Sequence, residues 1–112
     1  MSTSGEALLS QYMTAVRLEV DQALASLAIY EKGCPAVLGD AIRHILLAPG
    51  KRLRPMLVLM ASDACGNRSN ATIASACAVE MIHTYSLIHD DLPAMDDDEL
   101  RRGLPTVHVV YG

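Results

Sequence analysis

The stretch NATIASACAVEMIHTYSLIHDDLPAMDDDELRRG, Asn70–Gly103, decides how this chain folds. Its first two-thirds, Ala71 to about Asp91, contain no Gly or Pro and are rich in Ala, Met, Ile and Leu, which predicts a long helix. Ser69 or Asn70 supplies an N-terminal cap. Pro93 lacks a backbone donor and disfavours helical geometry at Leu92, so the helix ends or kinks there. A loop follows, Met95 to Pro105, and Thr106 can cap a last helix that runs to Gly112.

Working backwards, Arg54-Pro55 starts a third helix that is apolar nearly all round from Met56 to Ala64 and ends at Gly66-Asn67. A helix without a polar face is usually buried. Ala48-Pro49-Gly50 breaks the chain before it. Pro35 can open a second helix running to about Leu47. Ser4 to Tyr30 reads as a first long helix, closed by Lys32-Gly33. The 112 residues are 51% apolar, with no Phe or Trp. That supply favours helices over strands, and no repeat interrupts it. The expected class is all-α, in a single small domain.

The net charge of -4 gives no basic footprint for nucleic acid. No apolar run approaches the roughly eighteen residues of a membrane span, and Met1 to Gly5 lacks the features of a secretory signal. Cys34, Cys65 and Cys77 show no CxxC spacing, so buried reduced thiols in a cytoplasmic protein are expected.

Charge is unevenly placed. Asp90, Asp91, Asp96, Asp97, Asp98 and Glu99 put six of the 13 acidic residues in one short window. Crowded carboxylates raise the cost of ionising one another, and a helix carboxyl terminus is a poor place for anions. A solvated acidic loop is the plain alternative. A bound cation would relieve both costs, and oxygen ligands of this kind suit Mg²⁺ shared with substrate phosphates. The spacing does not fit an EF-hand.

Two cationic clusters accompany it: Gly50-Lys51-Arg52-Leu53-Arg54-Pro55 and Arg101-Arg102-Gly103. Cations in loops are commonly just solvated. Together with the carboxylates they suit a metal and a diphosphate, since Arg binds phosphate oxygens bidentately and Lys as a point charge. No Walker pattern is present. His83 precedes Asp90 by seven residues, about two turns, which puts the two on one helix face roughly 10 Å apart. A satisfied core histidine is the plainer account of His83, and the better one for His44 and His108; His89 can serve as a local partner of Asp90.

These motifs resemble those of the trans-isoprenyl diphosphate synthases. Gly50–Pro55 is similar to the family's GKRLRP element, and His83–Asp96, running into Arg101-Arg102-Gly103, to its first aspartate-rich motif, DDxxxxD. The likeness extends from Lys32 onward and points most closely to bacterial-type farnesyl diphosphate synthases. Pro49-Gly50 stands where the family usually has Gly-Gly.

The resemblance implies the all-α isoprenoid synthase bundle and a Mg²⁺-dependent prenyltransferase of isoprenoid biosynthesis. It would condense isopentenyl diphosphate with dimethylallyl or geranyl diphosphate. By the same resemblance Asp90, Asp91 and Asp96 hold the metal, and Arg101 contacts the allylic diphosphate. Lys51, Arg54, His83 and Arg102 bind isopentenyl diphosphate, with Asp90, Asp96 and Arg101 counted as catalytic. Tyr85 and Ser86 would set product length. Tyr85 lies ~7–8 Å down the helix axis from Asp90, where a growing chain would meet its ring, so farnesyl diphosphate is the expected product. A homodimer is implied.

The family bundle is larger and carries a second aspartate-rich motif on a later helix. Residues 1–112 therefore correspond to an incomplete N-terminal portion of that domain, and little or no turnover is expected from them alone. Two rivals remain: an HD-type metal phosphohydrolase built on His89-Asp90, and a non-catalytic prenyltransferase-like subunit. Terpene cyclases share the metal chemistry but call for no second diphosphate clamp.

Overall fold

The computed structural model describes residues 4–112. Five helices, α1 Gly5–Leu27, α2 Ala36–Leu46, α3 Leu53–Ala64, α4 Asn70–Asp91 and α5 Val107–Tyr111, account for nearly all the regular structure. A two-residue antiparallel ladder, β1 Leu100–Arg101 with β2 Leu104–Pro105, is the exception to the all-α expectation. It lies within the segment read as loop. Its cause is the pair Arg102-Gly103, with φ of 54° and 77°. Positive φ at both central residues is what a two-residue hairpin turn of type I′ requires.

The core is a stripe. Val16, Val20, Leu24 and Ala28 follow one another at four-residue spacing along one side of α1 and past its end, the repeat that keeps side chains on one helix face. They pack against Leu46, Met56, Leu59, Ala76 and Cys77. α3 and α4 form the most extensive helix pair, and α1 lies across both. The radius of gyration is 16.3 Å, against about 13 Å for a compact domain of this length. The molecule is elongated, 53 × 30 × 22 Å.

One boundary, one helix face and one cap depart from expectation. α1 stops at Leu27, not Tyr30, because Arg43 of α2 reaches back and donates from Nη1 to the Ala28 carbonyl at 2.8 Å. That gives a terminal carbonyl its partner; the same guanidinium lies over the Tyr30 ring. α3 was expected to be buried all round. Instead Pro55, Met56 and Leu59 are inward while Leu53 and Leu57 are exposed. Thr106 does stand at the N-cap of α5, but its hydroxyl donates to the Asp98 carbonyl at 2.8 Å and ties down the acidic loop.

The start of α4 is as expected: Ser69 is its N-cap, and the Thr72 hydroxyl accepts the Ser69 N–H at 3.1 Å. Contrary to the reading that no segment approaches a membrane span, α4 is long and apolar enough for one by length and composition. It packs along α3 and carries a buried Glu80. Of the three thiols only Cys77 is buried, and burial raises its pKa; Cys65 is exposed and Cys34 half-buried. All three are free.

Candidate functional site

Three segments far apart in sequence meet at one cavity of about 420 Å³. The turn before α3 brings Pro49 to Arg54, α4 brings Glu80, His83 and Leu87, and the hairpin brings Arg101 and Arg102. The two cationic clusters thus face a common space.

Within that space the cations differ. Lys51 and Arg54 are exposed. Arg54 Nη1 lies 3.3 Å from His83 Nε2. Burial and the neighbouring Arg54 charge hold the His83 pKa below its ordinary value, so the imidazole is neutral near pH 7 and can offer a ring N–H or a lone pair. Arg52 is the opposite case. It is 5% exposed and donates to Asp21 Oδ1 at 2.8 Å, to Glu80 Oε1 at 3.3 Å, and to the carbonyls of Leu46 and Ala48 at 2.8 and 3.1 Å. Its backbone is left-handed, φ 55°. Arg52 is structural.

Arg102 lies between. Its Nη2 is 3.6 Å from Glu80 Oε1 and its Nη1 donates to the Ile45 carbonyl at 3.4 Å. The guanidinium lies directly over Gly50: a Cβ there would sit 3.2 Å from Arg102 Cζ. This explains why a glycine serves at that place in the turn.

The carboxyl end of α4 adjoins the hairpin. Asp91, expected to face a metal, is instead 2% exposed and accepts three hydrogen bonds from Arg101 at 2.6–2.9 Å. This pairing raises the Arg101 pKa. It also relieves the cost of an anion at a helix terminus, which sequence reasoning had left to a metal. Arg101, expected to meet the allylic diphosphate, is therefore anchored to the protein as well as lining the cavity.

Asp90 is half-exposed beside His89, at 3.7 Å, and Asp96 is exposed. The Asp96 N–H donates to the Asp90 carbonyl at 2.9 Å, folding the loop back so that the two aspartates are neighbours. Asp97 lies 3.8 Å from His108 and Asp98 3.8 Å from Arg101. Among the described residues no three His, Cys, Asp or Glu side chains form a metal cage. Mg²⁺ does not require one, since it commonly takes one or two carboxylates and completes its shell with phosphate oxygens and water. Asp90 and Asp96 fit that mode; Asp91, held by Arg101, does not.

Tyr85 and Ser86 open onto different depressions, as helix neighbours 100° apart should. Tyr85, 68% exposed, borders an apolar pocket of about 250 Å³ with Tyr30, Ile42, Leu46, Met81, Thr84 and Ile88. The Thr84 hydroxyl there is buried without a partner among the described residues. Ser86 faces the Arg54 side, and its hydroxyl donates to the His83 carbonyl at 2.6 Å. His44 and His108 are partly buried and hydrogen-bonded, His44 to the Pro105 carbonyl at 2.7 Å and His108 Nδ1 to the Thr106 hydroxyl at 3.3 Å.

Sequence reasoning missed Glu80. Its signal was available: it is the lone charged residue between Asn70 and Ile82, on a helix that must bury one side.

Comparison with known proteins gives consistent matches. A family model described as polyprenyl synthetase matches residues 35–112. The chain is 52% identical over 101 residues to a chloroplastic geranylgeranyl pyrophosphate synthase of Capsicum annuum, covering 90% of this chain and 27% of that protein. It is 56% identical over 80 residues to the large subunit 2 of a heterodimeric geranylgeranyl pyrophosphate synthase of Arabidopsis thaliana, covering 71% of this chain and 21% of the other. Among solved structures, a geranyltransferase from Legionella pneumophila superposes with a TM-score of 0.88 at 34% identity, over 96% of this chain and 38% of that one. An FPP/GFPP synthase from Zymomonas mobilis gives 0.83 at 39% identity, over 92% and 37%. The chain thus spans about a quarter of the length of these curated relatives.

Proposed function

From the premise that the chain belongs to the polyprenyl synthetase family, the trans-isoprenyl diphosphate synthases, we propose that it carries the isopentenyl diphosphate clamp and one acidic metal-binding face of a prenyltransferase. The observation that carries this reading is the convergence of Lys51, Arg54, His83, Arg101 and Arg102 on one cavity beside the Asp90–Asp96 end of α4. Family membership also sets aside the HD-type phosphohydrolase.

The reaction proposed for the complete enzyme joins isopentenyl diphosphate to an allylic diphosphate, dimethylallyl or geranyl. The allylic carbon–oxygen bond breaks, the isopentenyl double bond forms the new carbon–carbon bond, and a proton leaves. Negative charge grows on the departing diphosphate, so fixed cations aimed at it lower the barrier. Mg²⁺, held by Asp90 and Asp96, supplies further neutralisation of that leaving group when bound. Arg101, oriented by Asp91, faces the same end. Lys51, Arg54, His83 and Arg102 hold the isopentenyl diphosphate, which must stay intact; no carboxylate other than the paired Glu80 lines their cavity. Asp91 is thereby reassigned from metal ligand to the residue that orients Arg101.

For product length we propose farnesyl diphosphate, because Tyr85, whose side chain is exposed, lies five residues and so about 7.5 Å of helix rise before Asp90. The relatives named as geranylgeranyl synthases favour a longer product. Products made by an enzyme carrying this segment from isopentenyl and geranyl diphosphates discriminate: C15 supports the Tyr85 reading, and C20 rejects it. The proposed assembly is a homodimer, although one relative is named as part of a heterodimer. A native mass separates like from unlike subunits.

The direct test of the clamp is calorimetric titration of the 112-residue chain with isopentenyl diphosphate. Saturable binding that falls in Lys51→Ala and Arg54→Ala is expected, with little or no turnover. Binding indifferent to both substitutions rejects the reading.

A further inference from the structure

Glu80 poses a physical puzzle. It lines a cavity read as an anion site, yet it is itself an anion, 2% exposed. A carboxylate there repels a bound diphosphate, and burying it costs several kcal/mol before pairing, by order of magnitude. Balancing Arg52 does not account for it, because Arg52 already has the Asp21 carboxylate and the Leu46 and Ala48 carbonyls.

What Glu80 does in addition is share a single oxygen. Oε1 lies 3.3 Å from Arg52 Nη1 and 3.6 Å from Arg102 Nη2. Arg52 is fixed on the α1 and α2 side by Asp21 and the two carbonyls, so Glu80 extends that fixed point to Arg102. The Arg102 guanidinium is then held from three directions: Glu80 of α4, the Ile45 carbonyl of α2, and the Gly50 backbone beneath it. An arginine at the tip of a two-residue hairpin has no such restraint of its own, and an unrestrained side chain must be ordered on binding at a cost in entropy.

We infer that Glu80 is a positioning residue: through its shared oxygen it preorganises Arg102, across the Arg52 anchor, for a diphosphate bound between the turn at residue 50 and the hairpin. This rests on the reading of the cavity as a diphosphate site. It makes a prediction whose sign is opposite to that of simple electrostatics. Glu80→Gln removes a negative charge beside the site, so field alone would tighten anion binding. Loss of positioning weakens it.

The experiment measures inorganic diphosphate and isopentenyl diphosphate binding to the 112-residue chain and to its Glu80→Gln and Glu80→Asp variants. Circular dichroism and thermal midpoints verify the fold. Both variants are expected to bind about tenfold more weakly, a shift of ~1.4 kcal/mol. For Glu80→Asp the charge is kept and only the reach is shortened, so field alone predicts no change. Should Glu80→Gln fail to fold, Glu80→Asp decides. Unchanged or tighter binding by a folded variant overturns the inference while leaving the clamp intact. Absence of diphosphate binding by the wild-type chain, or binding indifferent to Lys51→Ala and Arg54→Ala, overturns the site reading and this inference with it.

Discussion

The turn at residues 49–54 and the hairpin at 100–105 approach the same cavity from opposite sides, and each pairs one arginine with a buried carboxylate of α4. In the turn it is Arg52 with Glu80; in the hairpin it is Arg101 with Asp91. Glu80 and Asp91 are eleven residues apart, close to three helical turns, so they project from one face of α4. The difference lies in what else each arginine touches. Both line the cavity, but Arg52 has four protein acceptors and a side chain 3% exposed, whereas the Arg101 side chain is 25% exposed. Neighbours of the buried arginine, Lys51 and Arg54, are the ones left facing solvent. Arginines in one motif thus divide between building the site and serving it, and burial tells them apart.

The largest effects expected on breaking this division come from Arg52→Ala and Arg101→Ala. Arg52→Ala leaves the buried Glu80 with Arg102 alone and takes the donor from Asp21 and from the Leu46 and Ala48 carbonyls, and should cost about 3–5 kcal/mol, seen as a large drop in the urea midpoint. Arg101→Ala removes all three charge-assisted bonds that Asp91, 2% exposed, accepts from it, and should cost a comparable amount, about 3–5 kcal/mol, while also weakening diphosphate binding. Lys51→Ala and Arg54→Ala should invert the pattern: stability within about 0.5 kcal/mol of wild type, and diphosphate affinity down about tenfold, a loss of ~1.4 kcal/mol. If Lys51→Ala destabilised the fold as much as Arg52→Ala, the division would be wrong.

The smallest effect concerns pH. The folded His83 pKa lies below its unfolded value. The unfolded chain therefore binds more protons in that window, and stability contributed by neutral His83 is lost as pH falls from the unfolded pKa towards the folded one. A bound diphosphate should draw the His83 titration upward, and Arg54→Ala should do so in the free chain. Histidine ring resonances followed by NMR against pH check both shifts.

Much of this was legible beforehand. Pro35, Pro55, Pro93 and the Ser69-Asn70 cap mark element ends by backbone chemistry alone, so α2, α3 and α4 fall within a residue or two of expectation. The end of α1 was not legible, because its stop is set by Arg43 arriving from another helix rather than by Gly33. The hairpin escaped notice because Arg102 adopts a left-handed conformation that arginine rarely does. In the site, the sequence revealed which charges were unusual but not which were paired. Arg52 was grouped with Lys51 and Arg54, and Asp91 with Asp90. Only the packing of α1 and α4 shows that Asp21 and Glu80 claim the first, and only the hairpin that Arg101 claims the second.

One measurement bears most directly on the whole account: backbone and side-chain NMR of the 112-residue chain titrated with isopentenyl diphosphate, with and without Mg²⁺. Saturable shifts centred on Lys51, Arg54, His83 and Arg102, already present without metal, are the predicted result. Shifts confined to Asp90–Glu99, or none at all, would contradict it.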